Sequence, residues 1–193
     1  MIIKWLFDRI FSFLALIFLS PFLLVLFILH KVKMDKGPFL FLQTRIGKDA
    51  KPFRIIKIRT MKAGSDKGIS VTTFDDPRIM PFGKWLRETK IDTLFEIINI
   101  LIGDMSFVGP RPDVPGYADR LEGDDRRILN LRPGITGPAS LKYRHEDRIL
   151  SQQKDPKRYN DEVIYPDKVK INLEYLDNWS VFLDIKILWK TFF

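Results

Sequence analysis

The segment FSFLALIFLSPFLLVLFIL, residues 11–29, has no charged side chain, and Ser12 and Ser20 are the polar residues that interrupt its apolar run. A stretch of this length is about what one pass through the hydrocarbon core of a bilayer requires. A cleaved signal peptide would need small residues at a cleavage site after the run, but the chain continues with HKVK at residues 30–33. The sequence therefore predicts a membrane helix that stays in the mature protein.

The flanks and the centre of this segment leave its path through the membrane open. Basic residues prefer the cytoplasmic side of a membrane. Here they stand on both sides of the segment, at Lys4, Arg9, Lys31, Lys33 and Lys36. At the centre lies Ser20-Pro21, where proline removes a backbone donor and kinks or breaks a helix. A kinked transmembrane helix and a re-entrant helix that enters and leaves on one face both fit these residues.

Composition limits the chemistry that the 193-residue chain can perform. It has no cysteine, which excludes disulfides and thiolate zinc sites, and two histidines, His30 and His145, are too few for a multi-histidine metal centre. The formal net charge of +8 favours an anionic partner such as nucleic acid, a phospholipid surface or a phosphorylated substrate. Composition alone does not choose among these three.

Beyond the apolar segment the sequence is typical of an α/β (α+β) domain with short strands and several amphipathic helices. A β-prone stretch at residues 38–43 precedes FRIIKIR at 53–59, where apolar and basic residues alternate as in a half-buried strand. Residues 63–77 are rich in Gly, Ser, Asp and Thr and predict a loop. Apolar spacing then predicts one helix over 84–102, ended by Gly103.

Three carboxylates on that helix are candidates for chemistry. Glu88, Asp92 and Glu96 are spaced four apart and would line one face. A solvated acidic stripe is one interpretation; the other is phosphoryl chemistry, in which carboxylates hold Mg²⁺ or attack phosphorus and cations grip phosphate oxygens. The many basic residues elsewhere and the membrane segment favour the second. Those basic residues are Arg45, Lys57, Arg59, Arg111, Arg132, Lys142 and Arg144.

Four short strings, in order along the chain, carry a resemblance to a known family. They are QTRIG at 43–47, KIRTM at 57–61, GDMSFVGPRP at 103–112 and RPGITG at 132–137. With the apolar helix and its Ser-Pro pair, they resemble the bacterial sugar transferase family, the monotopic polyprenyl-phosphate phosphoglycosyl transferases. The resemblance covers essentially the whole chain.

The resemblance implies a reaction and a location. Family members transfer a sugar 1-phosphate from a UDP-sugar to undecaprenyl phosphate with Mg²⁺ and release UMP, through a covalent aspartyl phospho-sugar intermediate. This is the first membrane step in assembling a glycoconjugate such as capsule, O-antigen or exopolysaccharide. By this resemblance, residues 1–36 form a re-entrant helix broken at Ser20-Pro21, in contact with membrane lipids. Residues 37–193 form a catalytic domain on the cytoplasmic face of the bacterial inner membrane.

The resemblance also assigns site residues, with one departure. The family has an Asp-Glu pair ahead of the GDMS string, and here the pair reads Asp92-Thr93. Asp92 is then the nucleophile, and Glu96, one helical turn away, is the candidate second carboxylate and, with Asp92, the candidate Mg²⁺ ligand. An enzyme impaired by Thr93, which keeps the fold and binds substrate, is the alternative. The candidate phosphate contacts are Arg45, Lys57, Arg59, Arg111 and Arg132.

A function of another class also fits part of the pattern. The chain could be a membrane-anchored basic binding module or scaffold. Nucleic acid is disfavoured as a partner, because aromatic residues are not interleaved with the basic ones and no helix-turn-helix is evident. The apolar stretch at 181–193 is core, an interfacial helix or the contact surface of a homodimer.

Overall fold

The computed structural model describes residues 2–65 and 76–192. The predicted loop at 63–77 therefore lies largely outside the described residues. Within these described residues, helices and strands follow one another in twelve elements. They are α1 (Ile2–Lys33), β1 (Leu40–Ile46), β2 (Pro52–Ile58), α2 (Pro81–Glu88), α3 (Glu96–Ile102), β3 (Ser106–Val108), β4 (Gly134–Thr136), α4 (Pro138–Lys142), α5 (Glu146–Ser151), α6 (Pro156–Tyr159), α7 (Tyr165–Asp177) and α8 (Val181–Phe192).

The prediction of a mixed domain with short strands is confirmed. β1 and β2 form an antiparallel hairpin in which Leu40 pairs with Ile58 and Ile46 pairs with Pro52. β3 and β4 form a short parallel pair. Buried apolar side chains join these strands to the helices. One cluster consists of Ile55, Ile100 and Met105, and another of Leu26, Ile58 and Leu86.

α1 is a single helix that contacts the rest of the protein along one side. Asp8, Ser12, Leu26 and His30 are buried on that side, while the other sides are apolar and exposed, Phe18 by 86%. Among the residues described, α1 is the helix long and apolar enough to cross a membrane. The assignment continues through Ser20-Pro21, so the predicted break into two helices is not observed.

Both ends of α1 are fastened to the same domain. Near its start, Lys4 Nζ donates to Asp184 Oδ2 of α8 at 2.6 Å. Near its end, His30 Nε2 lies 3.0 Å from the carbonyl oxygen of Arg59, directly after β2. A helix of this length extends for about 48 Å, and contacts at its two ends hold it beside the domain.

The prediction of one continuous helix over 84–102 is wrong. α2 ends at Glu88, Lys90 takes a left-handed conformation with φ 58°, and a 3₁₀ turn at Ile91–Thr93 precedes α3. Thr89 and Thr93 explain part of this break, because their hydroxyls donate to the carbonyls of Trp85 and Lys90 at 2.8 Å and compete with the helical ladder.

The acidic stripe is broken with the helix. Glu88 is exposed, whereas Asp92 is half-buried and Glu96 is buried. The predicted stop at Gly103 is confirmed, since this residue ends α3 with a φ of 105°, a conformation that glycine adopts without strain.

The side chain of Asn99 joins α3 to the edge of β2. Its Oδ1 accepts from the Ile56 backbone N–H at 2.9 Å, and its Nδ2 donates to the Arg54 carbonyl at 2.8 Å. Asn99 is completely buried. Its amide therefore takes the place of a neighbouring strand and fixes α3 against the hairpin.

Replacing Asn99 by Ala should lower the free energy of unfolding by about 3 kcal/mol, because two buried backbone groups would lose their partners. Asn178→Ala is the matched control: it removes an exposed amide that donates to the Glu174 carbonyl and should cost less than about 1 kcal/mol. Denaturant unfolding of the detergent-solubilised protein, followed by tryptophan fluorescence, measures both. Equal losses would contradict the role assigned to Asn99.

Candidate active site

Asp92, Glu96 and Lys57 come together where β2 meets the start of α3. Lys57 Nζ lies 3.3 Å from Glu96 Oε1, with both side chains largely buried. Asp92 Oδ1 is buried and has no hydrogen-bond partner among the described residues. The 3₁₀ turn, rather than a continuous helical face, brings Asp92 to this position. The cluster thus contains one paired carboxylate and one with an unused oxygen.

Burial and the nearby cations act in opposite directions on these carboxylates. Burial raises the pKa of Asp92, while Lys57 and Arg87 pull it down. Burial also raises the pKa of Glu96, while the positive charges of Lys57 and Arg111 act to lower it. Burial lowers the pKa of Lys57, and the negative charge of Glu96 acts to raise it. The cations thus favour the ionised form of Asp92, which a nucleophile needs.

Two more of the predicted phosphate contacts border the cluster. The Arg45 guanidinium donates to Gln43 Oε1 at 2.6 Å and to the Pro112 carbonyl at 3.1 Å, which fixes its orientation. Arg111 is exposed, and its charge acts on both Lys57 and Glu96. Arg111 is therefore placed to meet a ligand that approaches the cluster from solvent.

Arg59 and Arg132 lie elsewhere. Arg59 is buried and donates to the carbonyls of Pro38, Met61 and Asp35 at 2.7–2.9 Å, in addition to an ion pair with the Asp35 carboxylate. These bonds occupy its guanidinium and hold the chain that leaves α1. Arg132 Nε donates to the carbonyl of Gly103, at the far end of α3 from Glu96.

Sequence reasoning missed two neighbours of the cluster. Arg87, on α2, donates to Thr60 Oγ1 at 2.8 Å, and its positive charge attracts the carboxylate of Asp92. Asp113 lies close enough to Arg45 for their charges to interact. Burial raises the pKa of Asp113 to about 6, even though Tyr165 donates to Asp113 Oδ2 at 3.2 Å. Asp113 directly follows the GDMSFVGPRP string, which is the signal that could have found it. No sequence motif identifies Arg87, because the turn after α2 is what brings it close to Asp92.

Comparison with known proteins decides the family. The profile described as bacterial sugar transferase matches residues 1–193. The chain belongs to the bacterial sugar transferase family.

Three relatives illustrate what this chain is similar to. The UDP-glucose:undecaprenyl-phosphate glucose-1-phosphate transferase of Escherichia coli is 36% identical over 192 residues, 96% of this chain and 38% of that protein. The undecaprenyl-phosphate galactose phosphotransferase of Salmonella typhimurium is 31% identical over 205 residues, 98% and 39% of the two chains. The exopolysaccharide production protein PSS of Rhizobium leguminosarum is 32% identical over 202 residues, 99% and 94%. This bacterial sugar transferase chain thus spans well under half of the first two relatives.

Replacing Lys57 by Met in this chain should lower the free energy of unfolding by about 3 kcal/mol near neutral pH, because Glu96 would stay buried without its cation. Adding Glu96→Gln should recover most of the loss. At pH 4.5, the ordinary pKa of a glutamate side chain, the single variant should lose less, because burial raises the pKa of Glu96 and the unpaired carboxyl takes up a proton.

Denaturant unfolding of the two variants at both pH values measures this coupling. Lys157→Met is the matched control, because the Lys157 ion pair with Asp161 is exposed and should contribute less than about 1 kcal/mol. If the single and double variants lose the same stability, Lys57 acts through packing rather than through its charge.

Proposed function

We propose that this protein transfers a sugar 1-phosphate from a UDP-sugar to undecaprenyl phosphate and releases UMP. The observation that carries the proposal is the buried, unpartnered Oδ1 of Asp92 beside Lys57 and Arg87, in a chain that belongs to the bacterial sugar transferase family. The names of the relatives from Escherichia coli and Salmonella typhimurium support the two substrates.

Asp92 divides the transfer into two displacements on one phosphorus atom. In the first, a carboxylate oxygen of Asp92 attacks the β-phosphorus of the UDP-sugar, and the bond from that phosphorus to the bridging oxygen breaks. UMP leaves with the bridging oxygen, and the sugar phosphate stays on Asp92. In the second, an oxygen of undecaprenyl phosphate attacks the same phosphorus, Asp92 leaves as a carboxylate, and a lipid diphosphate sugar is formed. Covalent catalysis of this kind replaces one difficult step by two easier ones.

The cations around Asp92 have separate tasks in this scheme. Burial raises the pKa of Asp92, and the charge of Lys57, which is itself paired with Glu96, acts in the opposite direction and favours the ionised carboxylate. Arg111, exposed at the edge of the cluster, binds phosphate oxygens of the nucleotide through its planar fork. Arg45 is oriented by Gln43 and Pro112 and adds positive charge beside Arg111.

The donor set is suited to Mg²⁺. This ion is usually held by one or two carboxylates together with substrate phosphates, and Asp92 Oδ1 is an unused buried oxygen beside Glu96. No cluster of three or more His, Cys, Asp or Glu side chains suited to a metal occurs in the described residues. Asp92, with Glu96 as a second carboxylate, would therefore hold the ion with help from the substrate. Bound Mg²⁺ would offset charge on the diphosphate and on the departing UMP.

Thr93 is the observation that favours a second function. Its hydroxyl donates to the Lys90 carbonyl at 2.8 Å and provides neither a negative charge nor a strong metal ligand. Glu96, the candidate replacement, is already paired with Lys57. A protein that binds the UDP-sugar at the membrane without turning it over is therefore the alternative to an active enzyme.

We infer that α1 enters and leaves the membrane on one face, the cytoplasmic face of the inner membrane. Both of its ends contact one domain through Lys4–Asp184 and His30–Arg59. A helix that crossed the bilayer would carry Lys4 to the opposite side, away from Asp184. The exposed apolar sides of α1 would then face lipid tails in the near leaflet, and Pro21 would provide the bend.

Asp92→Asn should lower UMP release by at least about a thousandfold, because the amide cannot act as the nucleophile. Glu96→Gln should also reduce release strongly if Glu96 replaces the missing glutamate. Glu88→Gln, an exposed carboxylate on α2, is the control and should change little. The assay uses full-length detergent-solubilised protein, undecaprenyl phosphate, Mg²⁺ and a panel of UDP-sugars.

The same assay separates the active enzyme from the impaired one. An active enzyme incubated with UDP-sugar and no lipid should gain the mass of one sugar phosphate on the Asp92 peptide. Nucleotide binding without UMP release for any sugar would favour the impaired protein, and Thr93→Glu should then restore turnover. Full activity of Asp92→Asn would contradict the nucleophile.

Single cysteines test the path of α1, because the natural chain has none. Ile3→Cys, at an exposed position before the apolar segment, and Ser151→Cys on α5 should both react with a membrane-impermeant maleimide in inside-out vesicles. Neither should react in intact spheroplasts. Reaction of the two cysteines from opposite sides would mean that α1 spans the bilayer.

A further inference from the structure

Two arginines meet at the end of α3, away from the Asp92 cluster. Arg132 Nε donates to the Gly103 carbonyl at 2.9 Å. The Arg9 guanidinium lies against the same residue, so closely that a Cβ on Gly103 would stand 2.0 Å from Arg9 Nη2. α3 separates this point from Glu96 by about 10 Å, the rise of its seven residues. The arginine pair is therefore distinct from the catalytic cluster.

The guanidinium groups of this pair retain unused donors. Arg9 Nη1 is buried and has no hydrogen-bond partner in the described part of the chain. The bond to Gly103 is the one that the Arg132 side chain makes within residues 2–65 and 76–192. The two positive charges are close enough to repel each other. Because an unpaired buried donor and two neighbouring cations are both unfavourable, an anion between them would stabilise the site.

The neighbouring carboxylates do not fully provide that anion. Asp8 and Asp104 attract Arg9 at longer range. However, Asp8 Oδ1 accepts from the Phe107 backbone N–H at 3.2 Å, and Asp104 Oδ2 accepts from Asn99 Nδ2 at 3.5 Å. Neither carboxylate forms an ion pair with Arg9 or Arg132 among the residues described. Among the described residues, the two arginines therefore lack a directly paired anion.

The position of Arg9 on α1 indicates which anion reaches the site. Arg9 lies just before the apolar segment at residues 11–29, and its Cζ lies 4.7 Å from the centre of the Trp5 ring. Trp5 is 39% exposed. Tryptophan and arginine at the end of an apolar helix are typical of the headgroup level of a membrane. The anions present at that level are the phosphates of lipids.

We propose that Arg9 and Arg132 form a binding site for a lipid phosphate, second to the catalytic site. The inference rests on the membrane insertion of α1 proposed above, but not on the transfer reaction. Two lipids have this chemistry, a bilayer phospholipid with a phosphodiester and a polyprenyl phosphate with a phosphomonoester. The planar forks of the two arginines suit either group.

Binding to the full-length detergent-solubilised protein tests the site without any turnover. The probes are dihexanoyl phosphatidylglycerol, farnesyl phosphate and inorganic phosphate, with dihexanoylglycerol as the same acyl chains without phosphate. Both phosphate lipids should bind, and Arg9→Gln and Arg132→Gln should each weaken binding by about tenfold or more, because each removes a charge-assisted hydrogen bond. Arg148→Gln, an exposed arginine on α5, is the matched control and should bind as the natural protein does.

The outcomes separate the lipid source and the failure of the proposal. Tighter binding of phosphatidylglycerol assigns the site to bilayer lipid, and tighter binding of farnesyl phosphate assigns it to the acceptor. Equal binding of dihexanoylglycerol or of inorganic phosphate would overturn a lipid-phosphate site, as would unchanged affinity in both arginine variants. Arg9→Lys keeps the charge and serves as the folding control. UMP release is not measured, so loss of the transferase proposal would leave this result unaffected.

Discussion

The hydrogen bonds of one buried residue, Asn99, determine the geometry of the candidate active site. Asn99 holds the edge of β2 through Ile56 and Arg54. The backbone carbonyl of Asn99 accepts from the backbone N–H groups of Gly103, Asp104 and Met105. These bonds end α3 and direct the chain into β3. Lys57 follows Ile56, and Glu96 lies one helical turn before Asn99. The ion pair between Lys57 and Glu96 is therefore positioned by an uncharged, completely buried side chain.

Burial and nearby cations have opposing effects on the carboxylates of the candidate active site. A half-buried carboxylate resists ionisation, and the cations Lys57 and Arg87 offset that tendency for Asp92. By its resemblance to the family, the chain has Thr93 where a glutamate is expected, and Glu96, one helical turn later, is the candidate second carboxylate.

Local sequence signals predicted the elements that depend on local physics. The apolar segment, the alternation in β2 and the stop at Gly103 all follow from periodicity or from glycine itself. The break between α2 and α3 did not follow, because apolar spacing continues through Thr89 and Lys90 while hydroxyl groups and a left-handed residue interrupt the backbone. The arginines were equally hard to sort. Arg59 and Arg111 have the same guanidinium donors, so the sequence does not distinguish their roles. In the structure, nearby carbonyls and the Asp35 carboxylate occupy the guanidinium of Arg59, which makes its role structural. Asp92 was placed by resemblance, and its role remains a prediction.

The ion pair between Lys4 and Asp184 has a consequence for biosynthesis. The two residues are 180 positions apart, so Asp184 is synthesised long after Lys4. Until α8 has been made, the first turn of α1 lacks its buried anion. Docking of that turn therefore cannot precede the synthesis of α8. A nascent chain that stalls before α8 would hold an apolar helix whose first turn is not yet attached to the rest of the protein.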